Sequence, residues 1–103
     1  MNYRINELEE LVGNILIRIL PPLRSKGEVL LAEFEVLFEY LGELKELTRG
    51  QETINKSLAY KLFHCYIEVD KQFSFISNNE NKQRIQSRLF TDIISILNEG
   101  QFQ

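Results

Sequence analysis

The sequence predicts an all-α fold: an antiparallel up-down-up-down four-helix bundle that forms a single domain over residues 1–103. Three observations lead to this prediction. Apolar residues recur at steps of three and four along four separate segments, which is the period of an amphipathic helix. Short stretches rich in proline, glycine or asparagine separate the segments and favour turns. No segment alternates apolar and polar residues as a strand would.

The first helix is predicted over residues 4–20. Pro21 and Pro22 are expected to end it, because proline lacks a backbone N–H and disfavours a helical conformation at the preceding residue. The apolar residues of this segment have the spacing of one buried helix face: Ile5, Leu8, Val12, Ile15 and Ile19.

The second helix is predicted over residues 28–48 and the third over residues 52–77. The apolar pattern of the second helix continues through Gly42 at a cost of about 1 kcal/mol relative to alanine, and Gly50 is a typical stop signal. The third helix carries a seam of apolar residues at steps of four and three: Ile54, Leu58, Leu62, Cys65, Val69, Phe73 and Ile76.

The fourth helix is predicted over residues 80–99. The polar stretch SNNEN precedes it and supplies asparagines that are suited to cap a helix. Its apolar residues are again three and four apart: Ile85, Leu89, Ile93 and Ile96. Because the connections between the four segments are short, consecutive helices are expected to run antiparallel.

Length and composition place the chain among small globular proteins. Its 103 residues, 44% hydrophobic and 26% charged, suffice for one hydrophobic core. A single cysteine excludes an internal disulfide. The N-terminus has no apolar stretch typical of a signal peptide, and no apolar run is long enough to span a membrane. We therefore expect a cytoplasmic protein with no membrane partner.

Charge and motifs argue against nucleic acid and against catalysis. The net charge is −3, the wrong sign for binding phosphates, so no direct nucleic-acid ligand is expected. His64 and Cys65 are the only residues of their types, and neighbours on a helix point about 100° apart, so they do not form a nucleophile and base pair. One histidine and one cysteine cannot complete a zinc site. The sequence therefore predicts no enzyme, no cofactor and no metal.

The third helix carries a second apolar stripe on the side opposite its seam. Tyr60, Phe63, His64 and Ile67 follow one another at i, i+3, i+4 and i+7. One interpretation is a central helix that contacts three others and buries a wide arc. The other is an interface with a second protein chain, since tyrosine and phenylalanine are enriched in interfaces.

The second helix carries glutamates within a narrow arc: Glu28, Glu35, Glu39, Glu43 and Glu46. They are either a solvated helix face or a negative surface that docks a basic partner. The predicted partner-binding residues are therefore Tyr60, Phe63, His64, Ile67, Glu35, Glu39, Glu43 and Glu46.

These observations predict a non-catalytic protein-binding module. In its most concrete form it is a small inhibitor or immunity-type protein that occludes a basic partner through its acidic and aromatic helix faces. The general look is similar to that of small acidic helical proteins that neutralise toxins and of phage-encoded inhibitors, at the level of fold and charge only. The alternative is a self-associating bundle, either a homodimer or a subunit of an assembly, with no separate target.

Overall fold

The computed structural model describes residues 3–98, and these residues form four α-helices and no strand. The helices are α1 (Tyr3–Lys26), α2 (Leu31–Thr48), α3 (Lys56–Phe73) and α4 (Glu80–Leu97). The prediction of an all-α architecture with four helices is therefore confirmed over this range. The predicted end of the fourth helix at residue 99 lies outside the described residues.

One hydrophobic core lies between the helices. Each helix contributes an inner face at the spacing predicted from the sequence, and the α3 seam from Leu58 to Phe73 is completely or almost completely buried. At the centre the ring of Phe34 lies 5.9 Å from that of Phe73 and 6.4 Å from that of Phe38. Burial of these apolar side chains is the main stabilising contribution to the fold.

The helices pack around this core in the ring order α1, α2, α4, α3. Over residues 3–98, no Cα atom of α2 comes within 8 Å of one in α3, and the same is true of α1 and α4. Helices α2 and α3 therefore lie diagonally, and the core side chains Phe34 and Phe73 meet between them. As a result, the outer faces of α2 and α3 point to opposite sides of the bundle.

The prediction that Pro21 and Pro22 end the first helix is wrong, because α1 continues to Lys26. Leu23 continues the apolar face beyond the prolines and is buried. Burying a leucine contributes about 1.5–3 kcal/mol, which offsets part of the roughly 3 kcal/mol that each of the two interior prolines costs. The helix ends where Gly27 adopts a φ of 63° and donates its N–H to the Leu23 carbonyl at 3.1 Å, a glycine-specific stop.

Two other helices also have boundaries that differ from the prediction. Helix α2 begins at Leu31, three residues later than predicted, so Glu28 lies in the connector and not on the helix. Helix α3 spans Lys56–Phe73, shorter than the predicted residues 52–77. Asn55 fixes its start, because its side-chain oxygen accepts a hydrogen bond from the Ser57 N–H at 2.7 Å and satisfies a donor that the first turn leaves without a partner.

The capping asparagine predicted before the fourth helix is confirmed. Asn79 lies at the N-cap of α4, and its side-chain oxygen accepts a hydrogen bond from the Lys82 N–H at 2.9 Å. Helix α2 also runs through Gly42 without interruption, as predicted, and it ends at Thr48, with Arg49 at the C-cap beside Gly50, which has a φ of 80°.

Two candidate surfaces on opposite sides of the bundle

The four residues singled out on α3 lie together on its solvent side, and we call them the outer stripe: Tyr60, Phe63, His64 and Ile67. The side chains of Tyr60, Phe63 and Ile67 are 69%, 52% and 57% exposed, and His64 is also exposed. The interpretation that α3 buries this stripe against a third helix is therefore wrong. The ring order of the bundle is the reason, since both neighbours of α3 pack against its inner side.

Two rings of the outer stripe stack on each other. The rings of Tyr60 and His64, one helical turn apart, stack with their centroids 5.8 Å apart and their planes at 18°. Beside them, Tyr66 packs its ring against that of Phe90 on α4 at 5.8 Å, and Phe90 is itself half exposed. The apolar surface thus continues from α3 onto α4.

On its other side the outer stripe borders a groove between α1 and α3. This groove has a volume of about 460 Å³, and Ile17, Lys61 and His64 are among the residues that line it. The Lys61 side chain lies across α1 beside Gly13, where a Cβ atom would lie 3.1 Å from Lys61 Nζ. Ile17 is largely exposed, so the apolar surface also extends onto α1.

Two lysines that the sequence analysis did not single out lie at the ends of the outer stripe. Lys56 precedes Tyr60 by four residues and Lys71 follows Ile67 by four residues, so both continue the spacing of the stripe. Both side chains are exposed, and neither forms an ion pair with another residue of the range 3–98. Extending the i, i+4 pattern by one step in each direction would have identified them.

The glutamates of α2 lie on the opposite side of the bundle, and ion pairs hold most of them. Glu43 accepts two hydrogen bonds from the guanidinium of Arg4, from Nε at 2.6 Å and from Nη2 at 2.8 Å. This two-point contact lowers the pKa of the Glu43 carboxyl below its ordinary value, because it stabilises the charged form. The pair ties the start of α1 to the end of α2.

Glu35 and Glu46 are also paired. Glu35 lies 3.4 Å from Arg84 and 3.6 Å from Arg88, both on α4, and the guanidinium of Arg88 also lies 4.3 Å from the centre of the Phe38 ring. Glu46 lies 2.7 Å from Arg49. Of the four glutamates predicted to bind a partner, Glu39 is the one with no ion pair inside residues 3–98.

His64 and Cys65 lie on different sides of α3, as helix geometry requires. Cys65 is fully buried in the core, and burial raises the pKa of its thiol to about 12. The thiol is therefore protonated at neutral pH and is a poor nucleophile. Across residues 3–98 no three His, Cys, Asp or Glu side chains are grouped so that they could hold a metal ion. No helix in this range is both long and apolar enough to cross a membrane.

The chain was compared with models of protein families, with curated proteins and with solved structures, and it matches none of them.

Proposed function

We propose that this protein is a non-catalytic protein-binding module and that the outer stripe of α3 is its docking surface. One observation carries the proposal: Tyr60, Phe63 and Ile67 are each more than half exposed on one face of one helix. Scattered apolar residues are normal on a protein surface, whereas a contiguous apolar patch is typical of an interaction site. Aromatic side chains are also enriched in the cores of interfaces.

The proposal includes the up-down-up-down arrangement of an antiparallel bundle. Two ion pairs support opposite directions for α1 and α2, since Arg4 pairs with Glu43 whereas Arg18, further along α1, pairs with Glu33, earlier in α2. The Tyr66–Phe90 and Asp70–Gln86 contacts support the same relation between α3 and α4. In such a bundle α3 is held along its inner side, so its outer stripe is a preformed surface that loses little entropy on binding.

In its most concrete form, the protein is a small cytoplasmic inhibitor or immunity-type protein that occludes its target. The acidic face of α2 has the smaller part in this proposal, because Glu35, Glu43 and Glu46 already pair with arginines. Its role is long-range attraction of a basic region of the target. The alternative is a homodimer or assembly subunit that buries the same outer stripe between copies.

A pull-down from lysate of the native host tests the proposed function. The bait is the full chain, compared with Phe63→Asp and with a matched control, Phe75→Asp, since Phe75 is 81% exposed and lies outside the outer stripe. A triple change of Glu35, Glu39 and Glu43 to lysine tests the acidic face. We expect a partner, identified by mass spectrometry, that Phe63→Asp loses and Phe75→Asp retains.

Two results would contradict the proposal. A partner recovered equally by wild type and by Phe63→Asp would place the docking surface elsewhere. Unfolding of Phe63→Asp, seen as loss of helical circular dichroism, would show that Phe63 belongs to the core. Recovery of the chain alone, with Phe63→Asp losing self-association, would favour the homodimer.

A further inference from the structure

We propose that the outer stripe binds an amphipathic helix of another protein, and that acidic residues border both ends of that helix's apolar face. This inference rests on the proposed function and specifies the chemistry of the partner.

The shape of the outer stripe fits a helix. Its residues at i, i+3, i+4 and i+7 lie along one side of α3, which runs without a break from Lys56 to Phe73. From Lys56 to Lys71 this side is about 22 Å long at 1.5 Å per residue. A second helix laid along it would place its own apolar residues, at the same spacing, between those of the stripe.

The charges at its ends favour an acidic partner. Lys56 and Lys71 are exposed and form no ion pair with residues 3–98. The nearby carboxylate of Asp70 is directed towards α4, where it accepts a hydrogen bond from Gln86 at 3.2 Å. Each end of the stripe therefore carries one exposed lysine. Rim charges of this kind select partners and speed association more than they add affinity.

The same two lysines argue against a second copy of this chain as the occupant. The stripe is centred between Phe63 and His64, midway between Lys56 and Lys71. In an antiparallel pair of α3 helices centred there, Lys56 of one copy would lie opposite Lys71 of the other. In a parallel pair in register, each lysine would lie opposite its own equivalent. Both arrangements bring like charges together, which destabilises an interface.

The net charge of the chain disfavours two other occupants. At −3, the protein as a whole repels densely charged anionic membranes and nucleic acids more strongly than it repels a helix with a few carboxylates. An amphipathic helix with acidic ends covers the apolar stripe and pairs with both lysines, and it carries far less charge than a phosphate backbone.

Fluorescence anisotropy with two synthetic peptides tests the inference. Each peptide is about 20 residues long, enough to form a helix, and carries leucines at i, i+3, i+4 and i+7. The acidic peptide has glutamates at both ends of the leucine face, and the matched peptide has lysines there. We expect the full-length protein to bind the acidic peptide about tenfold more tightly at low salt, with a smaller difference at high salt.

Variants of the protein locate the contact. Phe63→Asp is expected to abolish binding of both peptides, whereas the control Phe75→Asp binds like the wild type. The double variant Lys56→Glu with Lys71→Glu is expected to reverse the preference and to favour the basic peptide. Circular dichroism of each variant verifies that it is folded.

Several outcomes would overturn the inference: no binding of either peptide, equal binding of both, or an unchanged preference in the double lysine variant. Binding to phosphatidylserine vesicles or to a single-stranded oligonucleotide in place of the peptides would assign the stripe to those ligands. A wild-type dimer in sedimentation velocity that Phe63→Asp dissociates would assign it to a second copy.

If Phe63→Asp loses a partner in the pull-down but the peptides show no charge preference, only this inference fails. If the pull-down is unaffected, the proposed function fails as well.

Discussion

The outer faces of α2 and α3 lie on opposite sides of the bundle. They differ in how many of their side chains contact a partner within the same chain. On α2, arginines from α1, from α4 and from the end of α2 itself pair with Glu43, Glu35 and Glu46. On α3, large apolar side chains are exposed between two lysines that form no ion pair with residues 3–98. On α2 most of the charged side chains are therefore paired within the chain, whereas on α3 the large apolar side chains stay exposed.

The energetics of the two faces explain why the apolar face is the more informative one. A surface ion pair contributes only about 0–1 kcal/mol, so the paired glutamates of α2 are accounted for by an ordinary solvated surface. Leaving about half of Phe63 in water forgoes roughly half of the 1.5–3 kcal/mol that full burial of such a side chain contributes. A partner that covers the outer stripe recovers part of that free energy.

The largest expected effect is a difference in stability between substitutions on the inner side and on the outer side of α3. Leu62→Ala is expected to lower the free energy of unfolding by about 2–5 kcal/mol, because Leu62 is fully buried and the change leaves a cavity. Phe63→Ala, at the neighbouring half-exposed position, is expected to lower the free energy of unfolding by less than about 1 kcal/mol. Urea denaturation measures both values. Equal losses would mean that the outer stripe belongs to the core.

The next effect concerns the backbone of α2. Apart from its chain neighbours and the adjacent helix backbone, a methyl group at Gly42 would meet no atom within 4 Å, so Gly42→Ala is expected to raise the free energy of unfolding by about 1 kcal/mol. Gly50→Ala is the control and is expected to lower it by about 1 kcal/mol or more, since Gly50 has a φ of 80°. Thermal unfolding detects both shifts. Destabilisation by Gly42→Ala would contradict the open environment of this residue.

A smaller effect tests the ion pairs of α2 through their pH dependence. The Arg4 guanidinium lowers the pKa of Glu43, so the pair stabilises the fold above the ordinary carboxyl pKa. This contribution is lost as the pH falls through the lowered pKa. Glu43→Gln is therefore expected to be less stable than wild type at neutral pH and equally stable in strong acid.

The control for that measurement is Glu39→Gln, because Glu39 forms no ion pair within the described part of the chain. Its free energy of unfolding is expected to stay within about 0.5 kcal/mol of wild type at every pH. If Glu39→Gln and Glu43→Gln behave alike, the Arg4 contact does not hold in solution.

Local patterns in the sequence were enough to predict most of the secondary structure. The helix faces follow from apolar spacing, and the cap at Asn79 follows from side-chain hydrogen bonding. The end of α1 could not be predicted in this way, since α1 continues through Pro21 and Pro22 to Lys26 and buries Leu23. That burial depends on tertiary packing, which the spacing of one segment does not describe.

For the candidate surfaces too, local spacing predicts some properties, whereas others depend on tertiary packing. The members of the outer stripe were predictable because residues of one helix share a face by spacing alone. Its exposure was not, because that depends on the ring order α1, α2, α4, α3. The same holds for the α2 glutamates, since the arginines that pair with Glu35 come from a helix about fifty positions further along the chain. Spacing within α2 carries no information about that neighbour.

The central claim is that the outer stripe is open in the isolated chain and covered in a complex. His64 is the only histidine and lies in the stripe, so its modification by diethyl pyrocarbonate, read by mass spectrometry on a protein with a histidine-free tag, measures this directly. We predict rapid modification of the purified chain at every protein concentration, and strong protection once the partner found in the pull-down is added. Protection in the purified chain, or an unchanged rate in the complex, would contradict the account.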